Sequence, residues 1–227
     1  MLENAKSQFT NREQVDEKEL MVFMELTLGS LANEGTIDYK DFISRIEVIN
    51  ACGYGVLVSN YFEYFKLASY LRRLIKKPIG LVMGLNNLAD IFKQEYYSNL
   101  EGGILEAFCV LFKDNIRIYA YPVEKETFER YRQQFRRGDN VTITESSNGL
   151  INVENLLVAD NLRNLYKYIR ENGFLETIKE FNRENMKFFS RDIFDQIVQR
   201  KDGWKDNLPE SVANMIESKN LWSENSS

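Results

Sequence analysis

The sequence predicts an α/β protein built on parallel strands, and three observations predict it. Short apolar runs at Val56–Ser59, Ile79–Met83 and Ile116–Tyr121 are rich in Val, Ile, Leu or Tyr and too short for helices. Longer amphipathic segments separate them, giving the order strand, helix, strand, helix, strand. Turn-forming residues follow the runs, at Ser59-Asn60-Tyr61, Gly84-Leu85-Asn86-Asn87 and Tyr121-Pro122. Consecutive strands joined through helices run parallel, with right-handed crossovers. Ligands of such sheets usually sit beyond the carboxyl ends of the strands, so these three turns are the candidate ligand edge.

Taken in order, residues 1–16 read as a polar start that frays. From Glu17 to Ala32 the apolar residues Leu20, Met21, Met24, Leu28 and Leu31 recur mostly at spacings of three and four, the pattern of an amphipathic helix. Asn33-Glu34-Gly35 ends it, and Thr36 or Asp38 caps a second helix over about Tyr39–Asn50 that buries Phe42, Ile43, Ile46 and Ile49. Gly35–Phe42 echoes the second half of an EF-hand loop. The earlier ligand positions fall on Ser30, Ala32 and Glu34, and Asp41 stands where a bidentate Glu is needed. Ala32 has no ligand to offer, so a helix–turn–helix with an Asp cap is the reading adopted.

Gly53 and Gly55 lead into the first strand. The helix after it, about Phe62–Ile75, buries Phe65, Leu67, Ala68, Leu71 and Leu74 and ends among Arg72, Arg73, Lys76 and Lys77. Cations in a last turn favour the helix dipole on a solvated face. A phosphate clamp is the sharper alternative, but in this topology a helix C-terminus points away from the ligand edge. Pro78 stops the helix. After the second strand Gly84 opens a turn in which Asn86 or Asn87 caps the next helix, or in which the backbone meets an anion. Glu101-Gly102-Gly103 restarts the chain as a helix over Ile104–Phe112; the glycines serve a turn, or the close approach of a ligand contacted by Glu101 or Glu106.

Beyond Pro122 the chain turns helical and charged. Glu124–Arg137 carries a stripe of Phe128, Tyr131 and Phe135; residues 138–150 are polar and turn-rich, with a short Val141–Thr144 strand, and form a candidate flap. Leu162, Leu165, Tyr166 and Ile169 share one helix face closed by Gly173, and Leu175, Ile178 and Phe181 predict a further short helix. Two helices surround Trp204 and Pro209, and 223–227 read as a disordered tail. The expected organisation is a polar segment at 1–16, a helical hairpin at 17–52, an α/β domain with C-terminal helices at 53–222, and the tail.

Composition narrows the function classes. The net charge of −5 over 227 residues argues against a general nucleic-acid binder, and no apolar run reaches the length of a transmembrane helix. The start has no signal-peptide core, and Cys52 and Cys109 form no motif. Both read as small buried side chains in a reducing compartment, which points to the cytoplasm. There is no histidine. Ser-His-Asp and Cys-His machinery and histidine metal sites are therefore excluded within this sequence, and acid–base chemistry falls to Asp, Glu, Lys, Tyr or Cys.

Two stretches resemble one family. Ile79–Phe92 (IGLVMGLNNLADIF) is similar to the strand–Gly–helix of nicotinate and nicotinamide mononucleotide adenylyltransferases; Gly84, Asn87 and Leu88 match, and Asn86 replaces an acidic residue. The closing segment, through Ser190, Ile193, Leu208, Pro209, Val212, Ile216, Leu221 and Trp222, is similar to the family's last motif and helix. The resemblance covers about a fifth of the chain. It implies a Rossmann-like, three-layer parallel sheet, a mononucleotide ligand, ATP with magnesium as co-substrate, a role in NAD biosynthesis, and contacts from Gly84, Asn86, Asn87 and Ser190, with Ser190 meeting a phosphate at a helix N-terminus; Asn60 at the first strand end and Glu101 and Gly102 at the glycine turn join them as candidate ligand contacts from the strand-edge reading.

The chain also departs from the family. The family's His-x-Gly-His phosphate motif has no counterpart here, and Phe194 stands where the closing motif carries Arg. Transferred phosphoryl charge must be met by positioned cations or donors, so the implied nucleotidyl transfer is catalytically incomplete in this sequence, and an upstream strand with that motif would complete it. A competing reading is a non-catalytic interaction or regulatory protein, with a protein partner or a second copy as its ligand, presenting Tyr61, Phe62, Tyr64, Tyr96 and Tyr97. A third reading is an enzyme working through Glu63, Glu101 and Glu106 at the strand ends.

Overall fold

The computed structural model describes residues 1–33, 36–135, 140–144, 148–187 and 190–222. In chain order these form α1 (Leu2–Glu13), β1 (Phe23–Thr27), β2 (Ala32–Asn33), β3 (Thr36–Ile37), α2 (Tyr39–Ala51), β4 (Gly55–Ser59), α3 (Tyr64–Leu74), β5 (Ile79–Gly84), α4 (Leu85–Ile91) and α5 (Gly103–Leu111). They continue as β6 (Ile116–Tyr121), β7 (Val123–Glu124), α6 (Lys125–Phe135), β8 (Val141–Ile143), β9 (Leu150–Ile151), β10 (Leu156–Val158), α7 (Arg163–Glu171), β11 (Leu175–Thr177), α8 (Ser190–Val198) and α9 (Glu210–Ser218). The protein is mixed α/β with small parallel sheets. Its chain divides into two compact units, one of Met1–Leu20 with Glu63–Lys187 and one of Met21–Phe62 with Phe188–Ser227, so neither the 16/17 nor the 52/53 boundary marks the division.

The larger unit is built on a parallel sheet in the order β11–β6–β5. Ile79 pairs with Ile116 and the register runs to Gly84 opposite Tyr121; Leu175 pairs with Ile118. Side chains alternate between faces along each strand. One face presents Met83, Ile118 and Ala120 to a core with Leu85, Leu88, Ala107 and Phe108. The other presents Val82, Tyr119 and Tyr121 to Ala5, Phe9 and Ile178. Phe9 of α1 lies against Gly80, where an added Cβ would stand 2.8 Å from its ring, so glycine is what lets the helix dock. The start of the chain is thus a helix with Ala5 and Phe9 buried, not a frayed segment. Its apolar residues are too few for composition to reveal it.

Three further expectations are corrected in this unit. The segment at Leu175 is a strand, not a helix; its three residues join the sheet edge beside β6, and pairing overrides the weak helical spacing of Leu175, Ile178 and Phe181. Neither Asn86 nor Asn87 caps α4, because the helix begins one residue earlier and Gly84 holds the cap position without a side-chain bond. The basic cluster is not wholly solvated. Arg72 is 8 % exposed and donates from Nη1 to the carbonyls of Ile75 (3.1 Å) and Lys77 (2.8 Å) and from Nη2 to the carbonyl of Asp114. It ties the α3–β5 turn to the α5–β6 turn, while Leu74, expected in the core, is exposed.

Of the remaining elements, Val141–Ile143 is a strand, paired antiparallel with β10, and the flanking parts of the candidate flap lie partly outside the described residues. Gly173 (φ 67°) follows α7 as expected. Both cysteines are free and exposed rather than buried, since Cys52 ends α2 and Cys109 lies on the outer side of α5.

The second unit holds the other parallel pair. Phe23–Thr27 pairs with Gly55–Ser59 in register. This corrects two expectations at once. Residues 17–32 are not a long helix: Glu17–Glu19 forms one 3-10 turn, then a strand with Phe23, Glu25 and Thr27 on one face and Met24 and Leu26 on the other. The run at Val56–Ser59 is a strand, but its partner is β1 and it does not share a sheet with β5 and β6. The first helix of the expected helix–turn–helix is therefore replaced by β1 and its turn by the β2–β3 pair, while Asp38 caps α2 by accepting from the N–H groups of Lys40 (2.9 Å) and Asp41 (3.0 Å). A separate core joins Ile197, Trp204, Val212 and Ile216 with Val48 and Ala51. The tail at 223–227 lies outside the described residues.

Tyr119 is 0 % exposed at the centre of the sheet, and its hydroxyl has no hydrogen-bond partner among the described residues. A buried hydroxyl without a partner loses its water bonds for nothing. Tyr119→Phe is therefore expected to raise stability by up to about 1 kcal/mol, read from urea unfolding midpoints; a loss of that size would show that the hydroxyl is satisfied. Burial also pushes the Tyr119 phenol up to about 12 from the usual 10, and pushes those of Tyr97 and Tyr166 upward. The unfolded chain then sheds phenolic protons that the folded chain keeps. Stability is fully present below about pH 10 and falls as pH rises toward the folded value. Urea midpoints are expected to drop between about pH 9 and about pH 11.5, more in wild type than in Tyr119→Phe.

Candidate functional site

The expected site residues fall into both units. Asn60 and Ser190 belong to the second unit, and Gly84, Asn86, Asn87, Glu101 and Gly102 to the larger one. Each group is described within its own unit.

In the larger unit the carboxyl edge of the sheet is formed where β5 ends at Gly84 and β6 ends opposite it at Tyr121. Gly84 has extended backbone angles (φ −78°, ψ 159°) and no atom stands within 4 Å of where its Cβ would be, so glycine is not demanded by the fold here. Asn86 is half-buried, with its Oδ1 buried and without a hydrogen-bond partner among the described residues, and Asn87 is exposed. Asn140 donates from Nδ2 to the Ala89 carbonyl of α4 at 2.9 Å, which fixes its amide orientation.

Tyr121 is packed on its far side. The Phe181 ring stands edge-on to it, with centroids 6.4 Å apart at 75°, and its phenol, raised by burial, takes a backbone hydrogen bond from Asn182. Next along the chain, Arg183 holds the Glu124 carboxylate at 2.7 Å and 3.3 Å and donates to the Asn148 carbonyl at 2.8 Å. The edge therefore sets a glycine turn followed by Asn86 and Asn87 opposite an aromatic residue, while the Arg183 cation is engaged by Glu124 and Asn148. Sequence reasoning placed Tyr121 at a strand end without selecting it as a site residue, and it missed Phe181 and Arg183, because the strand pairing of β11 that brings Phe181 here has no local signal.

Glu101 and Gly102 are engaged differently. The Gly102 N–H donates to the Glu106 carboxylate at 2.9 Å, and a Cβ on Gly102 would stand 2.8 Å from that of Glu106. This backbone donor is used to open α5, while Glu101 is exposed. Glu63 pairs with Lys66 at 2.7 Å, so two of the three carboxylates considered for acid–base work have local partners. Among the aromatic residues expected on the surface, Tyr97 is instead buried and donates to the Ile91 carbonyl at 2.7 Å; Phe62 and Tyr96 are exposed.

In the second unit Asn60 is exposed at the end of β4, and Ser190 is the exposed first residue of α8. Beside Asn60, the Ser59 hydroxyl donates to the Glu25 carboxylate at 2.6 Å, the Thr27 hydroxyl donates to the same carboxylate at 2.9 Å, and the Tyr61 N–H donates to Ser59 Oγ at 3.3 Å. This hydroxyl–carboxylate cluster was hidden from sequence reasoning by the helical assignment of residues 17–32. The three groups satisfy one another.

Among the described residues no group of three or more acidic or thiol side chains gathers to hold a metal ion, so no step is derived through magnesium. No helix among them is long and apolar enough to cross a membrane. The chain matches no protein-family model, no curated protein and no solved structure.

Proposed function

We propose that this chain is a nucleotide-binding, nucleotidylyltransferase-like protein, related to the mononucleotide adenylyltransferases of NAD biosynthesis, with a Rossmann-like larger unit and a cytoplasmic setting. The observation that carries the reading is the parallel junction of Gly84 and Tyr121: an open glycine at a strand end, an aromatic ring in register beside it, and Asn86 and Asn87 following. Ligands of parallel sheets are held at such ends. Nucleotidyl transfer needs cations or donors aimed at the phosphates, and without histidine the chain binds a mononucleotide and lacks the standard catalytic groups. ATP with magnesium is the co-substrate this ancestry implies.

Thermal unfolding with nicotinate mononucleotide, nicotinamide mononucleotide and ATP tests the reading. A ligand at about 100 times its dissociation constant adds roughly 2.7 kcal/mol. The expected result is a rise of the midpoint by about 5 °C or more with one mononucleotide. No rise with any of them at millimolar concentration removes the binding reading.

A second reading is supported by one observation in the second unit. Met21 is 77 % exposed and Phe62 66 %, and Tyr39 and Ile43 are also exposed, large apolar side chains of the kind a protein partner or a second copy would cover. It predicts concentration-dependent association in light scattering.

A further inference from the structure

We propose that α1 is a strap over the second face of the β11–β6–β5 sheet, which opens and closes as one unit while the rest of the larger unit stays folded. Its grip on the sheet is narrow. Of its 12 residues only Ala5 and Phe9 are buried, and the Phe9 ring fills the notch at Gly80, edge-on to Tyr119 with centroids 6.1 Å apart. The rest of the contact is polar. Glu13 accepts from Arg117 Nε at 2.6 Å, and Arg12 stands 3.6 Å from Glu176. Gln8 donates to Glu176 at 3.0 Å and to the Thr177 carbonyl at 3.1 Å, and accepts from the Lys179 N–H at 3.1 Å. A small apolar peg inside such a rim comes away at modest cost, because water replaces each rim bond.

Three features weigh against the closed form. A helix of this length is marginal alone in water, so α1 unfolds when it leaves the sheet and regains chain entropy. It has no side-chain cap at its start, and Gln14 at its end is held at φ 52°, where residues other than glycine are seldom found. Closure also buries the Tyr119 hydroxyl without a hydrogen-bond partner among the described residues, amid the charges of Arg12 and Glu13 on the strap and Arg117 and Glu176 on the sheet. Opening relieves all three. What keeps the closed form dominant is the apolar face beneath, where Val82, Tyr119 and Ile178 would meet water. The core on the opposite face is a separate cluster, with Phe92, Phe108 and Tyr166 in it, and it holds the sheet whether or not α1 is down. The strap thus decides when the second face meets solvent.

Native-state hydrogen exchange of the full chain, read by fragment mass spectrometry, tests the strap. In wild type the amides of residues 9–13 are expected to exchange together, at least about a hundredfold faster than those of Ile116–Tyr121 in β6. Two variants separate strap opening from global unfolding. Phe92 lies in the core that stays folded in the open form, so Phe92→Leu is expected to speed exchange in β6 about tenfold or more and to leave residues 9–13 within about twofold. Glu13→Gln weakens a contact that only the closed form makes, and is expected to speed exchange at residues 9–13 about tenfold. Equal rates for the two segments in wild type, rates graded inward from the ends of α1, or equal acceleration of both segments in Phe92→Leu would each overturn the strap.

Discussion

Arg72→Met is expected to destabilise the larger unit by about 3 kcal/mol or more. The guanidinium is almost wholly buried and donates to three carbonyls, those of Ile75, Lys77 and Asp114, from two turns that precede β5 and β6. Hydrogen bonds from a charged donor contribute about 1.5–3 kcal/mol each, and carbonyls left buried without donors cost about 1–3 kcal/mol more. The net loss is smaller than their sum because methionine removes the desolvated charge as well. Arg72→Lys should recover only part, since an ammonium group cannot reproduce the planar fork. Urea unfolding followed by circular dichroism reads both; a loss below about 1 kcal/mol for Arg72→Met would mean that the turns hold themselves.

The second large effect is in the aromatic core. Phe92→Ala is expected to cost about 3–5 kcal/mol. Phe92 follows α4 and is buried, with its ring edge-to-face against Phe108 of α5 at 5.2 Å and against Tyr166 of α7 at 5.1 Å. Phe108 in turn meets Tyr97 and Phe112. Truncation removes a ring that touches both helices and leaves a cavity in the core. Tyr166 also donates to the Val153 carbonyl at 2.7 Å, so it cannot swing freely into the gap. Phe92→Leu should cost about half as much. The same urea titration decides, and a Phe92→Ala midpoint equal to wild type would contradict the packing.

How much of this was legible in the sequence depends on how local each signal is. The strands at Ile79 and Ile116 were legible because each is a dense apolar run bounded by Pro78 or Asp114-Asn115. The helices α2, α3, α5 and α7 were legible because caps and period agree: Asp38 before α2, Pro78 after α3, Gly103 and Gly173 at a start and an end. By contrast, β1 reads as FMELT, and its apolar residues also fit a helical period when Leu20 and Leu28 are included. Its strand state is settled by pairing with Gly55–Ser59, about thirty residues away in sequence. The three residues of β11 are likewise set by pairing with β6. Arg72 illustrates the same limit from the other side: a cation in a last turn ordinarily faces water, and nothing local to α3 says that the Asp114 carbonyl will be brought to it.

The site was legible as an edge but not as a set of side chains. Gly84, Asn86 and Asn87 adjoin one strand end and were found together. Tyr121 was seen only as a neighbouring strand end, because the register that puts it opposite Gly84 is a tertiary fact. Gly102 shows the reverse case, where a glycine pair that suggested ligand approach spends its N–H on Glu106 within one helical turn. Asn60 and Ser190 were grouped with Gly84 on strand order and resemblance, and they belong to a different compact unit.

The most direct measurement of the central claim is the mononucleotide affinity of Gly84→Ala beside its thermal midpoint without ligand. The backbone at Gly84 suits any residue and an added Cβ meets no atom of the protein, so the fold itself should tolerate the change, with a midpoint within about 1 °C of wild type. A ligand lying against this turn would meet the new methyl group. The account predicts that wild type binds nicotinate mononucleotide and that Gly84→Ala binds it at least about tenfold more weakly at unchanged stability. Equal affinity of the two proteins, or no binding by wild type, would contradict a ligand site at the Gly84–Tyr121 edge.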